Sequence, residues 1–346
     1  MRLAAGLLPQ PLLRPTTSGL NMATQLPPLP EVERLAVGCI RILGGNPGKF
    51  TLQGTNTYLL GTGPRRLLID TGEGKPSWIA ALKRVLAEER ASIDSAILTH
   101  WHRDHTGGVP DLLQAWPGVP VFKRHPEPGQ RDIADGQTFA VEGACVRAVH
   151  TPGHTADHVV LLWERQADDG DDGPDGAESD VLFTGDSVLG HGTAVFEDLA
   201  EYLASLERMR RLFRRGGGRA FPGHGAVVAD GPGKIAEYIQ HRAQREEQVL
   251  QTLRGARPGE SEAENGGPGG AVKDGSGNAN GAWTVMELVR SIYRDVPESL
   301  HPAAAGGVVQ ILQKLRKEGK VLAVADGDGE RWRLAGSGSG LGRPAL

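Results

Sequence analysis

The chain has 346 residues, a formal net charge of -4 and a sequence pI of about 6.3. That length leaves room for one large domain and a smaller unit, while the charge balance does not point to nucleic acid, although a local basic patch is compatible with it. No apolar run is long enough to span a bilayer, and the two cysteines, Cys39 and Cys145, exclude a disulfide framework and are expected as two buried free thiols in a reducing compartment.

Residues 1–30 carry Arg2 and Arg14, several Pro, Ser and Thr, and no acidic residue. This resembles an organelle transit peptide, but Pro9, Pro11 and Pro15 interrupt any amphipathic helix. The expectation is a disordered leader on a cytoplasmic protein, with Met22 as an alternative start and a mitochondrial destination as the other reading.

Residues 31–253 alternate strand and helix patterns, an α/β arrangement. Segments 57–60 and 67–70 read as paired strands about a Gly-Pro turn at 61–64. Segment 78–89 has helical spacing, with Ile79, Leu82, Val85 and Leu86 on one side. Segment 96–99 is a short buried strand running into a histidine cluster. Strands at 159–163 and 181–184 flank an Asp/Gly-rich stretch, 167–180, predicted as an expanded surface loop. Segments 199–212 and 233–253 read as helices.

Residues 254–282 are rich in Gly, Asn, Ser and Glu and read as a flexible linker. Beyond it, helical patterns at 283–293 and 304–318 precede strands at 320–324 and 331–334 around an Asp-Gly turn at 326–329. The order predicts a small winged-helix-like module at 283–335, then a disordered tail at 336–346. Packing or a substrate lid is the expected role, because Lys314, Arg316 and Lys317 suit a helix C-terminus without any nucleic acid.

The chemistry gathers in Thr99-His100-Trp101-His102-Arg103-Asp104-His105. Imidazole and carboxylate suit zinc or a similar divalent ion. A loop leaving the strand can turn His100 and His102 to one ion and Asp104 and His105 to another. Gly107 and Gly108 then let the backbone turn before the next helix. Three more side chains are displayed in the same way: His154 in Thr-Pro-Gly-His-Thr, Asp186 in Thr-Gly-Asp, and His224 in Phe-Pro-Gly-His-Gly. Asp70, ending Leu-Leu-Ile-Asp-Thr-Gly, reads equally as a carboxylate fixing a ligand histidine from behind and as a strand-end turn former. His125, His150, His158, His241 and His301 lack the display turn and are expected as surface or satisfied core residues. His191, shortly after Asp186, could line the pocket.

His-x-His-x-Asp-His followed by a distant His, Asp and His resembles the metallo-β-lactamase superfamily over residues 41–224. The resemblance implies an αββα sandwich with two metals at one edge. It assigns His100, His102 and His154 to the first ion, Asp104, His105 and His224 to the second, and Asp186 to both. Zinc, two ions per chain, is the expected cofactor. A water shared by two such ions is expected as the attacking hydroxide, with Asp104 also orienting it as the catalytic carboxylate.

Zinc β-lactamases usually carry Cys where this chain has Asp186, so antibiotic hydrolysis is not expected. The long insertion of nucleic-acid-processing branches is absent between Asp186 and His224. Closer resemblance lies in the segments Asn46-Pro47-Gly48, 51–58, 192–199 and 283–288. They are similar to lactamase-like thioesterases of fungal polyketide clusters (atrochrysone carboxyl type) and to a mitochondrial lactamase-like endoribonuclease that cuts single-stranded RNA. Segments 27–34 and 72–78 resemble the polyketide-cluster members more. A thiolate leaves readily near neutral pH, whereas a ribose oxygen wants an acid that the sequence does not display. The expected partner is therefore the acyl carrier protein of a polyketide synthase, with RNA as the alternative. A third reading, a binding protein on a decayed lactamase fold, is disfavoured by the complete ligand set.

Overall fold

Tyr58, Leu60, Leu67 and Ile69 enter one core while Leu59 and Leu68 enter another, as the two-residue period of a strand buried on both faces requires. They lie on β3 (Asn56–Leu60) and β4 (Arg65–Ile69), antiparallel with Tyr58 opposite Ile69. This computed structural model describes residues 26–164, 180–213, 217–255, 281–326 and 329–336.

The first sheet has six strands in chain order. β1 (Val32–Ala36) and β2 (Cys39–Leu43) precede β3 and β4; β5 (Ser92–Leu98) and β6 (Val121–Lys123) follow, parallel to β4. Helix α1 (Pro76–Glu88) buries Trp78, Leu82, Val85 and Leu86 against the sheet's outer face. Ile79, predicted on that side, is only partly buried. The short α2 (Arg103–Thr106) and α3 (Val109–Ala115) follow β5.

The second sheet is ordered β11-β10-β9-β8-β7. These strands are β7 (Thr138–Val141), β8 (Ala144–His150), β9 (Val159–Trp163), β10 (Asp180–Gly185) and β11 (Gly218–Pro222). Its inner face meets the first sheet through Val146, Leu161, Phe183 and Phe221, which pack with Tyr58, Leu67 and Ile97. Its outer face is covered by α4 (Leu199–Arg210) and α5 (Gly231–Arg254). Helix, sheet, sheet, helix is the predicted αββα sandwich.

The C-terminal segment comprises α6 (Val285–Ile292), α7 (His301–Lys317) and the hairpin β12 (Val321–Asp326)–β13 (Gly329–Leu334). Thr284 and Glu287 form a capping box that starts α6. Trp283, Leu288, Leu312 and Trp332 share one core with Tyr202, Ile235 and Val249 of α4 and α5. Burial of that apolar face, rather than a tether, holds the segment in place.

Strands β1, β2, β6, β7 and β8 were not individually predictable. Buried Arg41 in β2 and half-buried Arg147 in β8 interrupt their apolar patterns, and β6 has 3 residues. Cys39 is buried as expected; Cys145 is exposed, a correction that follows from alternation along β8. The histidine cluster, expected on a loop, passes instead into α2 at Arg103. The leader up to 25, most of the loop at 167–180, most of the linker, the centre of the 326–329 turn and the tail from 337 lie outside the described residues.

Candidate metal centre

The candidate ligands all follow C-terminal ends of strands. His100 and His102 leave β5, Asp104 and His105 sit on α2, and His154 lies between β8 and β9; Asp186 and His224 follow β10 and β11. Strands β4 and β5 run parallel, as do β10 and β11, so these ends gather at one edge of the sandwich. Asn56 and Tyr58 close that edge from the first sheet. Asn56 Nδ2 donates to the carbonyls of Pro222 and Gly225, and Tyr58 Oη to that of Pro222.

Two groups result: His100, His102, His154 and Asp186; and Asp104, His105, Asp186 and His224. In the first, His102 Nδ1 stands 3.0 Å from His100 Nε2 and 3.1 Å from His154 Nε2. Asp186 Oδ2 is 4.0 Å from His100 and 3.8 Å from His154. In the second, His224 Nε2 is 3.3 Å from His105 Nε2 and 3.1 Å from Asp104 Oδ2. The two Asp186 oxygens are each 3.3 Å from a ring nitrogen, Oδ1 from His105 and Oδ2 from His224.

These spacings fit a divalent cation. Ligand atoms about 2.0–2.2 Å from a tetrahedral ion lie roughly 3.3 Å apart. On His100, His105 and His154 the other ring nitrogen is engaged behind the centre, whereas His224 Nδ1 is buried with no hydrogen-bond partner. His105 Nδ1 donates to Asp70 Oδ2 at 2.8 Å and His154 Nδ1 to the Val195 carbonyl at 2.8 Å. Thr99 Oγ1 donates to Asp70, so His100 Nδ1 donates to Thr99 Oγ1. Those donations leave an Nε2 lone pair facing inward on all three rings. Asp186 Oδ1 is buried with no hydrogen-bond donor, as a metal ligand would be.

Electrostatics divide the groups. Burial holds His100 well below the usual histidine range and lowers His102 as well, so both rings stay neutral, the ligand form. Burial also opposes charge on His224, but the Asp186 carboxylate and the Asp104 hydrogen bond lift it to about 9. Asp186 stays ionised despite its burial because His224 and His105 stand beside it. The second group thus carries the stronger demand for positive charge. His102 and Asp104 are partly exposed while the other ligands are buried, so the centre opens on their side.

Asp70 fills both of its predicted roles. It ends β4 in left-handed backbone, φ 58°, and its carboxylate holds His105 and the Thr99 N–H. His158 is a satisfied core histidine, as expected, but it also touches the centre. Its Nε2 accepts the Asp186 N–H at 3.2 Å, and its Nδ1 lies 3.0 Å from Thr151 Oγ1. Only its place at the head of the buried run 159–163 could have signalled this. His301 donates to the core carbonyls of Val296 or Tyr293, while His125 and His241 are exposed. His191 is exposed and outside both groups, next to Gly190, whose N–H bonds the His224 carbonyl.

Gly223 is required by close approach. A Cβ there would lie 2.4 Å from Asp186 Oδ1 and 2.8 Å from His105 Cε1. Gly223→Ala is therefore expected to weaken metal binding by at least about 10-fold in a competition titration with a chromogenic chelator; unaltered affinity would contradict this geometry.

Comparison with known proteins agrees with this architecture. Residues 50–125 match the metallo-beta-lactamase superfamily and residues 284–332 the beta-lactamase associated winged helix domain. The atrochrysone carboxyl ACP thioesterase of Aspergillus chevalieri is 43% identical over 320 residues, covering 92% of this chain and 93% of that protein. The lactamase-like protein nscB of Aspergillus fumigatus is 46% identical over 299 residues, covering 86% and 83%. Among solved structures, a beta-lactamase domain protein from Burkholderia ambifaria superimposes with a TM-score of 0.67 at 19% identity, covering 91% of this chain and 96% of that one. A metallo-beta-lactamase family protein of Thermus thermophilus gives 0.60 at 21% identity, covering 87% and 100%. At those identities the structures establish the fold alone, whereas the curated relatives establish kinship. The chain belongs to the metallo-β-lactamase superfamily, with these curated relatives as its kin.

Proposed function

We propose that the protein is a metal-dependent thioesterase that releases an aromatic polyketide acid from the acyl carrier protein of a polyketide synthase. Similarity to the thioesterase of Aspergillus chevalieri over 92% of the chain carries this reading. In it, zinc is the metal, with two ions per chain. His100, His102 and His154 would hold one ion, Asp104, His105 and His224 the other, and Asp186, common to both groups, would serve either. When bound, such a pair would bring the pKa of a water toward neutrality and polarise the substrate carbonyl. Asp104, partly exposed at the open side, accepts a hydrogen bond from the attacking water and orients it. Thr99, Asp70 and the Val195 carbonyl keep the rings from turning. The departing thiolate needs no protein acid near neutral pH.

Residues 31–253 would form the catalytic domain and 283–335 an accessory module, in a protein working in the cytoplasm. Among the described residues no helix is long and apolar enough to cross a membrane. Cations of the module and its approach are engaged within the chain: Lys314 with Glu246 at 2.6 Å, Lys317 with Asp198 at 2.9 Å, and Lys320 with Glu246 at 3.3 Å. Ion pairs of this kind compete with RNA phosphates for the same charges, which favours thioester over RNA.

A paired assay tests the choice: one tube holds an acyl-loaded carrier protein, the other a single-stranded RNA. The expected outcome is metal-dependent release of the free acid with the RNA intact. Metal-dependent cleavage of the RNA with the thioester surviving would replace this reading by the endoribonuclease.

A further inference from the structure

Two sequence segments outside the ligand set, 46–58 and 192–199, touch candidate ligand histidines and each presents an exposed apolar side chain. Phe50 is 74% exposed and Val195 63% exposed; Trp101, between two ligand histidines, is 52% exposed. Single exposed apolar residues need no explanation, but three of them on segments that all touch the ligand histidines of one polar centre are candidates for a ligand site.

Each of the three lies on a segment that touches a candidate ligand histidine. Thr55, at the base of the Phe50 hairpin, forms a β-bridge with His224. The Val195 carbonyl accepts from His154, and the Trp101 ring lies 4.5 Å from that of His102. The backbones beneath are fixed. Buried Asn46 closes the hairpin, its Oδ1 accepting from the Thr55 N–H and its Nδ2 donating to Thr55 Oγ1, while Gly48 and Leu52 pair across it. The Val195 segment is held by Arg242, which donates to the Ala194 carbonyl and stacks on Phe196, and by Tyr238, whose hydroxyl donates to the Gly192 carbonyl. Rigid polar scaffolding under exposed apolar tips is the pattern of a preformed binding rim, because ordering was completed on folding and is not charged to the ligand.

We propose that Phe50, Trp101 and Val195 form an acyl-binding rim that takes the apolar, aromatic body of the thioester and sets its carbonyl over the centre. The proposal rests on the thioesterase reading for the reaction, but binding at the rim can be measured without turnover. Stacking on Phe50 and Trp101 and burial against Val195 would select a planar aromatic acyl group over a short one.

The test uses the full chain with metal bound and two readouts. First, binding of a non-hydrolysable naphthyl thioether is followed by tryptophan fluorescence. Phe50→Ala with Val195→Ala is expected to raise its Kd about 10-fold or more. Leu300→Ala, an exposed apolar residue of the C-terminal segment, should leave it unchanged. Second, turnover of naphthoyl and acetyl thioesters of one small thiol is compared, and the double variant should lose about 10-fold of the naphthoyl preference. An unaltered Kd in the double variant overturns the rim, as does a Kd raised equally by Leu300→Ala. So does a variant that weakens binding of a single-stranded oligonucleotide while leaving the naphthyl ligand alone. If neither thioester is cleaved but the thioether Kd shifts as expected, the thioesterase reading fails and the rim stands.

Discussion

Asp186→Ala is expected to lower turnover by about 10⁴-fold or more and to strip tight metal binding from both ligand groups. Asp186 is the one residue common to the two groups. Its Oδ2 faces His100, His154 and His224, and its Oδ1 faces His105. Loss of a histidine such as His154 would damage the first group only. Loss of Asp186 also removes the carboxylate that raises His224 and His105, so it changes the charge of the whole centre. Metal content after dialysis, read beside kcat/KM, separates the two cases. Two equivalents of metal retained with turnover within tenfold of the parent would refute the shared-ligand arrangement.

Asp70→Ala is expected to have the largest effect on stability, a loss of about 3–5 kcal/mol. The carboxylate is buried and accepts from the Thr99 N–H at 2.8 Å, Thr99 Oγ1 at 2.9 Å and His105 Nδ1 at 2.8 Å. Alanine leaves those donors in the interior without acceptors, at a backbone position of φ 58° that Asp and Asn tolerate better than Ala. Asp70→Asn keeps the shape and one acceptor, so it should cost less stability while still weakening metal affinity about 10- to 100-fold. Urea unfolding of the chelator-treated protein measures the first effect and metal competition the second. An Asp70→Ala protein within about 1 kcal/mol of the parent would show that His105 is held by something else.

The candidate ligands were legible in the sequence because each is displayed locally. His100, His102, Asp104 and His105 lie within six consecutive residues, and His154, Asp186 and His224 each follow a glycine just past a strand. Alternating strands and helices and the winged-helix order were open to reading because strand alternation and helical spacing are short-range patterns, while the αββα sandwich was implied by the family resemblance. Metal identity and the bond cleaved are another matter, since the same donors serve several hydrolases.

Tertiary structure alone decided which distant residues support those ligands. Asp70 meets His105 across 35 positions and His158 meets the Asp186 backbone across 28. Asp70 was open to reading as a support, but which histidine it meets, and the whole His158 pairing, depend on which strand ends the two sheets bring to one edge. The same holds for the engaged charges of Lys314 and Lys317, read first as helix C-terminal cations and found paired with α5 and α4. Cys145 faces solvent for a similar reason: register, not residue type, sets which face of β8 it occupies. The sequence by itself determined the α/β class and offered the candidate donor set, since periodicity and local display are short-range, and the resemblance implied the sandwich. The arrangement of supports, charges and apolar rim around that donor set came only from packing, where contacts between residues far apart in the chain are chosen by the fold as a whole.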